Sequence, residues 1–299
     1  MGNDYRRGIV LSALGILIIS PDAMLVRLIA SADPWQIAFW RTGLMGCSLL
    51  AYLLVRARVR RRPAFASIRG KTWIVVGLFS FSNISFIGAL THTSVANTLV
   101  ILATMPFFAA ILGWSLIGEK VASRTWVSIG LALTGTGVLV SGSLGGGHRM
   151  GDALALLTAL MQGLNLIALR RFSVNDLVPP LCLSGFISAL VLAPAAHPLG
   201  VSGHDFALLG LIGLVVLPLA LSLFFSGARF VPAAEAALFT LIETVLGPFW
   251  AWLGAGEIPE STTLIGGAIV FAAIVLNTFR ASLEYRRRMR RIVLEKSGG

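Results

Sequence analysis

The chain alternates between long apolar stretches and short polar connectors. Ten stretches of about 20 mostly apolar residues follow one another, at 8–29, 35–55, 73–91, 94–117, 125–141, 151–169, 178–196, 206–227, 233–254 and 262–283. A helix of that length crosses the hydrocarbon core of a bilayer, and backbone amides in lipid must be paired within their own segment. The pattern therefore predicts an all-α polytopic membrane protein with ten transmembrane helices.

The composition excludes an ordinary soluble domain. Hydrophobic residues make up 56% of the chain and charged residues 12%, with a mean hydropathy of +0.85. A typical soluble domain has roughly 25% charged residues. The first apolar stretch contains Asp22 and lacks a small-residue cleavage site, so we expect it to remain as a membrane span and not to be removed as a signal peptide.

The chain contains an internal repeat. The segment 74–125 can be placed over the segment 138 residues later, and both copies carry an Ala, a Trp and a Gly-Glu pair at matching places. Earlier in each copy the similarity is weaker. The matching pairs are Phe86/Phe224, Ala96/Ala234, Trp114/Trp252, Gly118/Gly256, Glu119/Glu257, Ser123/Ser261 and Thr125/Thr263, and, in the weaker part, Gly8/Gly151, Leu11/Leu154 and Arg27/Arg170.

This repeat predicts an inverted architecture. We expect one five-helix unit at 1–145, a second at 146–283 and a basic tail at 284–299. Because five is an odd number, the second unit crosses the membrane in the opposite direction to the first. Inverted repeats are the architecture of alternating-access transporters, whose substrate site lies near the bilayer midplane between the halves. Glu119 and Glu257 then lie at opposite membrane faces, where they mark helix ends.

The positive charges set the expected orientation. All but three of the 24 Lys and Arg residues fall at the amino end, in alternate connectors or in the tail, and ten spans place all of these on one side. By the positive-inside rule that side is cytoplasmic, with both termini there. The net charge of +11 therefore indicates contact with lipid headgroups and not with nucleic acid.

At this point the residues resemble a known family. The ten spans, the repeat, and the run from Pro106 through Trp114 to Gly118-Glu119, echoed by Glu243 through Trp252 to Gly256-Glu257, are similar to the drug/metabolite transporter superfamily and its EamA-type members. The basic first cytoplasmic loop and the general character are similar to the bacterial aromatic amino-acid exporter branch. That resemblance implies a location in the bacterial inner membrane and efflux or facilitated passage of amino acids across it. One difference is that this branch commonly has a Pro soon after the acidic residue of the ninth helix, whereas here Pro248 comes five residues later.

Asp22 is a candidate site residue within the first span. It follows Pro21, which cannot donate a hydrogen bond to the carbonyl of Leu17 and should kink the helix. A kinked helix with a carboxylate and a free carbonyl is one way to build a polar site in a transporter. The alternative is an ion pair with Arg41, at similar depth in the next span, and such a pair would suit an outer gate.

Other polar side chains within the spans are further candidates, since burying them in a membrane is costly. Glu243 lies near mid-membrane, where desolvation disfavours its charged form, so it is either a proton-exchanging cavity residue or a neutral acid bonded to a neighbouring helix. Amides suit zwitterionic substrates because they donate to a carboxylate and accept from an ammonium, but they also join helices. The amides concerned are Asn83, Gln162 and Asn165.

Aromatic side chains at helical spacing from these polar groups complete the predicted substrate site. Phe79 and Phe86 recur with Asn83 on one face, and Phe239 lies four residues before Glu243. His92 and Asn97, near the outer ends of the third and fourth spans, are predicted gate residues; for His92 a satisfied interface histidine is the alternative.

The leading hypothesis is a secondary transporter of small amphiphilic metabolites, amino acids first among them. No Gly-rich loop followed by Lys and Ser or Thr supports ATP use. Four scattered histidines and two cysteines inside spans give no metal or nucleophile motif, so we expect no cofactor, metal or enzymatic activity. The alternatives are a membrane-embedded enzyme and a passive pore.

Overall fold

The computed structural model describes residues 2–29, 33–61, 63–93, 98, 101–140, 149–174, 176–197, 200–255 and 261–297. These residues form helices and no strand, which confirms an all-α polytopic membrane fold. The helices are α1 (Gly2–Ile19), α2 (Asp22–Arg27), α3 (Pro34–Arg60), α4 (Thr72–His92), α5 (Met105–Ile117), α6 (Ser123–Val140), α7 (Arg149–Arg171), α8 (Val178–Ala196), α9 (Gly203–Leu211), α10 (Leu217–Ala228), α11 (Ala233–Ala255) and α12 (Ser261–Ser297), with a π-helical segment, Ile212–Val216, between α9 and α10.

Each predicted span overlaps one described helix or consecutive described helices. The first corresponds to α1 and α2, and the eighth to α9, the π-helical segment and α10. Within the described ranges, seven helical stretches are long and apolar enough to cross a membrane, and α5 and the stretch Leu264–Arg280 of α12 are shorter apolar helices. Part of the predicted fourth span lies outside the described residues.

The first span is broken where Pro21 predicts a kink. Helix α1 ends at Ile19 and α2 begins at Asp22. The carbonyl that Pro21 leaves without its usual donor is not free, because the hydroxyl of Ser20 donates to Leu17 O at 2.8 Å. Trp250 Nε1 in turn donates to Ser20 Oγ at 2.8 Å. The expected open carbonyl is therefore satisfied within the fold.

Pro218 causes a second break in backbone bonding. It follows the π-helical segment at the start of α10, and its ring cannot donate to Leu214 O, four residues earlier. Ser48 of α3 supplies the donor, at 2.7 Å. Serine hydroxyls thus replace the missing amide at both prolines, as required where no water is present to pair a free carbonyl.

The helices pair across the boundary between the two repeats. The most extensive contacts join α3 with α8, α6 with α12, α4 with α7, and α1 with α10. If each helix is replaced by its equivalent in the other repeat, the pairs α3–α8 and α6–α12 map onto themselves. The pair α4–α7 maps onto α1–α10. The packing therefore has the two-fold pattern that the sequence repeat predicts.

Single residues obey the same rule. A Cβ atom on Gly8 of α1 would lie 2.8 Å from Phe230 Cβ and 3.0 Å from Val231, whereas one on Gly151 of α7 would lie 2.6 Å from the backbone of His92 and from Thr93. Phe230 and Val231 are the positions 138 residues after His92 and Thr93. The matched glycines Gly8 and Gly151 thus allow equivalent helix crossings in the two halves.

The α3–α8 crossing gives a stability prediction. A Cβ on Gly185 would lie 2.7 Å from Thr42 O and 3.1 Å from Gly46 N, so Gly185→Ala must separate the two helices. Overpacking of this kind costs about 1–3 kcal/mol. We expect a lower thermal unfolding temperature in detergent micelles. Gly77→Ala is the control, since nothing lies within 4 Å of its added Cβ and its helix propensity improves; equal effects of the two changes would contradict close packing at Gly185.

Candidate substrate site

A cavity of about 150 Å³ lies between the two halves. Both repeats contribute to its wall, through α1, α3, α4 and α5 from the first and α7, α8, α10 and α11 from the second. Its lining residues are Gly15, Ile16, Ile19, Met45, Phe79, Ser82, Asn83, Met105, Gln162, Asn165, Leu181, Ser184, Ala220, Leu221, Phe224, Phe225, Thr240 and Glu243. Five predicted substrate residues are therefore brought together: Phe79, Asn83, Gln162, Asn165 and Glu243.

Equivalent positions of the repeat face the cavity with different chemistry. Ser82 and Asn83 on α4 correspond, 138 residues later, to Ala220 and Leu221 on α10. In the more weakly matching early part of the repeats, Gln162 on α7 corresponds to Ile19 on α1, and both residues line the cavity. The pair α4–α7 thus forms a polar wall and the equivalent pair α1–α10 forms an apolar wall, so the cavity has two-fold packing but not two-fold chemistry.

The polar wall carries amides that are only partly satisfied. Asn83 Nδ2 donates to Ser188 Oγ at 3.4 Å, a long bond to α8. Asn165 is 1% exposed, and neither atom of its amide has a hydrogen-bond partner among the described residues. A buried amide without partners costs about 1–3 kcal/mol. A ligand that bonds to this amide would recover that free energy.

The apolar wall is partly aromatic. Phe225 on α10 meets Phe79 on α4 edge to face, with ring centroids 4.8 Å apart, and also meets Phe224 with centroids 4.9 Å apart. Such arrangements fix ring positions through the aromatic quadrupole. Phe79, which belongs to α4, therefore extends the aromatic surface toward the polar wall.

Glu243 has the only side chain with a formal charge among the described residues that line the cavity. It lies on α11, and its equivalent in the first repeat is Met105 of α5, which also lines the cavity. The charges of Asp22 and Arg41 are close enough to act on it. The cavity therefore combines one carboxyl group, several amides and hydroxyls, and an apolar face.

Asp22 is not among the residues that line this cavity, and its carboxylate is paired with Arg41. Arg41 Nη2 lies 2.5 Å from Asp22 Oδ2, and both side chains are largely buried. The ion pair joins α2 to α3 within the first half, and Asp22 Oδ1 has no hydrogen-bond partner among the described residues. Of the two interpretations of Asp22, the observed contact corresponds to the ion pair with Arg41.

The remaining predicted residues lie away from the cavity or outside the described residues. Phe86 packs in a small apolar cluster with Ala38, Ile87 and Leu192, and Phe239 is buried in the main core. The ring of His92 contacts its own helix, with Nδ1 2.8 Å from Gly88 O. Asn97 falls outside the described residues. The roles proposed for these four residues stay predictions.

Several lining residues escaped the sequence reasoning. Ser82, Ser184 and Thr240 add hydroxyls, and Met105 and Phe225 add apolar surface. Ser184 and Thr240 donate to carbonyls of their own helices, at 2.9 and 2.7 Å. Helical spacing could have found two of them, since Ser82 lies three residues after Phe79 and Thr240 lies three residues before Glu243.

A charged cluster lies at one end of the bundle, which we call the Glu119 end. Arg124 Nη2 is 2.9 Å from Glu235 Oε1. The other carboxylate oxygen, Glu235 Oε2, accepts a 2.7 Å hydrogen bond from the hydroxyl of Tyr5. Glu119 Oε2 is 3.4 Å from Arg170 Nε, and its Oε1 accepts from the backbone amide of Ala233 at 3.3 Å. Every one of these contacts joins the two repeats.

Burial raises the pKa of Glu119, and the positive charge of Arg170 and the amide of Ala233 oppose that rise. The prediction that Glu119 only marks the end of a helix is incomplete. Gly118 does end α5 with positive φ, as expected, but the carboxylate that follows bonds to the other half.

The fold and the two-walled cavity between its halves define the class, a polytopic α-helical membrane transporter. A sequence model of the EamA-like transporter family matches residues 6–141 and again residues 149–279. The chain belongs to the EamA-like transporter family, as its resemblance to EamA-type members predicts, and each half is one copy of the family unit.

Individual relatives are distant but match over most of their length. The pseudopaline exporter CntI of Pseudomonas aeruginosa is 22% identical over 281 residues, covering 90% of this chain and 95% of its own. An uncharacterized transporter of Archaeoglobus fulgidus is 21% identical over 286 residues, covering 90% and 96%. A crystal structure aligns with a TM-score of 0.78 at 17% identity, covering 92% of this chain and 98% of that one, which shows the fold alone.

Asn165 gives a prediction that separates a ligand-binding amide from one that only joins helices. Asn165→Leu removes a buried amide without partners, so we expect unfolding to become harder by about 1 kcal/mol and transport to fall. Asn277→Leu is the matched control, because Asn277 is equally buried but accepts a 3.1 Å hydrogen bond from Thr125. It should destabilise by about 1–3 kcal/mol. Thermal unfolding measures both; a destabilised Asn165→Leu variant would count against a free amide.

Proposed function

We propose that the protein is a secondary transporter that carries small amphiphilic metabolites, amino acids first among them, by alternating access around the central cavity. One observation carries the proposal: the cavity lies at the boundary of two inverted repeats and presents a polar wall on α4–α7 and an apolar wall on α1–α10. Rocking of one repeat against the other would expose a site at that boundary to each side in turn.

The chemistry of the walls suits a zwitterion with an apolar side chain. The amides of Asn83, Gln162 and Asn165 can donate to a substrate carboxylate. Glu243 can accept an ammonium group, and exchange of that group for a proton offers a route to coupling. Phe79, Phe224 and Phe225 offer an aromatic surface for the side chain. An amino acid would thus satisfy both walls at once.

Size also favours a small substrate. Sites for drug-sized ligands have volumes of about 300–1,000 Å³, whereas this cavity has about 150 Å³.

The similar protein CntI is named as an exporter, which favours outward flux here too. Cytoplasmic termini, the gate role of Asp22 and Arg41, and the repeat boundaries at 145 and 283 belong to the same proposal.

Counterflow in liposomes tests the function. Purified protein is reconstituted into vesicles loaded with one unlabelled amino acid and is then given a labelled one, across a panel of amino-acid classes. We expect saturable uptake that rises above equilibrium and then declines, because a carrier exchanges bound substrate. Linear flux would support a pore instead, and chemical turnover of a lipid or peptide would support an enzyme.

Two variants test the site within that assay. Asn83→Leu should raise the half-saturating concentration by at least about tenfold, since a hydrogen bond to a charged group contributes about 1.5–3 kcal/mol. Glu243→Gln, which removes the single charge, should reduce counterflow and its dependence on a proton gradient. Thr134→Val on the exposed face of α6 is the control for loss of a polar group. Unchanged kinetics in Asn83→Leu and Glu243→Gln would remove both residues from the site.

A further inference from the structure

The charged cluster at the Glu119 end holds together parts of both repeats that lie outside the cavity. From the first repeat it takes Tyr5 near the start of α1, Glu119 after α5 and Arg124 at the start of α6. From the second it takes Arg170 at the end of α7 and Glu235 at the start of α11. Four cavity-forming helices, α1, α5, α7 and α11, thus have an end tied by this cluster.

Backbone groups reinforce the same junction. Arg170 donates to the carbonyl of Val231, just before α11, and Arg171 donates to the carbonyl of Leu116, near the end of α5. Arg171 therefore bonds the carboxyl end of α5, where the helix dipole favours positive charge. The junction is a network of charge-assisted bonds and not an isolated surface ion pair.

The repeat does not supply the same charges at the other end. In the register of the sequence, Arg124 and Glu235 correspond to Thr262 and Asn97, which are uncharged. Glu119 and Arg170 correspond to Glu257 and Arg27, so that pair of residue types is kept. The sequence therefore provides the Arg124–Glu235 pair at one end only, so the ionic contacts of the two ends differ.

We propose that the cluster of Tyr5, Glu119, Arg124, Arg170 and Glu235 is a lock that holds the transporter closed at the Glu119 end. The lock rests on the alternating-access function proposed above. The lock must break each time the cavity opens toward the Glu119 end, which is the end predicted to be cytoplasmic. It therefore biases the unliganded protein toward the state that is open on the opposite side.

The burial of the charges makes such a lock both effective and reversible. The side chain of Glu235 is 5% exposed and that of Arg124 is 15% exposed, so water screens their attraction less than it would at an open surface. Both groups lie at helix ends, and separation of the halves would hydrate them. The lock therefore exchanges protein contacts for water contacts, without leaving a bare charge in lipid.

Side-specific labelling tests the lock. Thr240→Cys places a thiol on the cavity wall in a background with Cys47→Ser and Cys182→Ser, and a membrane-impermeant maleimide is applied to vesicles of each orientation without substrate. Arg124→Gln or Glu235→Gln should raise the labelling rate from the Glu119 end on the order of tenfold. Labelling from the opposite side should fall, because one population grows as the other shrinks.

A double-mutant cycle shows whether the two residues act as a pair. In a shared lock, Arg124→Gln/Glu235→Gln should label no faster than the faster single variant, whereas independent effects would multiply. Arg56→Gln is the control. Arg56 also bonds across the halves, to Asp176 at 2.5 Å, but that pair is more exposed and should change the rate less than threefold.

Three results would overturn the lock: unchanged rates, an equal rise in labelling from both sides, or an equal effect of Arg56→Gln. An equal rise from both sides would mean general loosening, and thermal unfolding of each variant reports the same loosening independently. Because labelling needs no substrate, its outcome is separate from that of counterflow. Reciprocal labelling without wild-type counterflow would leave the lock standing and remove the proposed transport activity.

Discussion

The central cavity depends on how two equivalent helix pairs, α4–α7 and α1–α10, pack across the boundary between the repeats. Lipid gives no hydrophobic drive for helices to associate, so close backbone approach at small residues must hold them together. Gly8 and Gly151 provide that approach at matching positions. With the pairs fixed at the crossings, the side chains further along them enclose the space that the halves share. The repeat therefore determines where the cavity lies.

Side-chain identity then makes the two walls different. Ser82 and Asn83 face the cavity from one pair, and Ala220 and Leu221 face it from the equivalent positions of the other. A cavity with identical walls would bind a symmetric ligand in two equivalent orientations. Here a ligand with one polar and one apolar side has a single best orientation. The same divergence separates Glu243 from Met105, and Arg124 and Glu235 from Thr262 and Asn97. The helix packing is therefore two-fold symmetric, whereas the side chains of the cavity walls and of the charged cluster are not.

Sequence reasoning predicted the cavity best where burial makes a residue type costly. Asn83, Asn165 and Glu243 stand out in apolar spans, and all three line the cavity. Asp22 stands out equally, yet Arg41 engages it, because polarity alone does not reveal which neighbour a charge meets. Ser184 gives no signal, since a hydroxyl bonded to its own helix costs little anywhere in a span. Phe225 lines the cavity and Phe86 does not. The sequence could not predict this difference, because spans that are apolar on every face have no periodicity that indicates which face points inward.

The lock and the cavity place opposite demands on polar groups. Glu119, Arg124, Arg170 and Glu235 are paired at helix ends, where their bonds stabilise one closed state. Asn165, at the centre, has no hydrogen-bond partner in the part of the chain that the structure describes, and its amide makes the empty cavity less stable. A substrate that satisfies Asn165 relieves the second cost without touching the first. Binding can therefore shift the balance between states only if its contacts are better in one of them. In the proposed cycle, contacts that reach both walls meet this condition, since the walls belong to helices from both halves and opening of the Glu119 end would change their spacing.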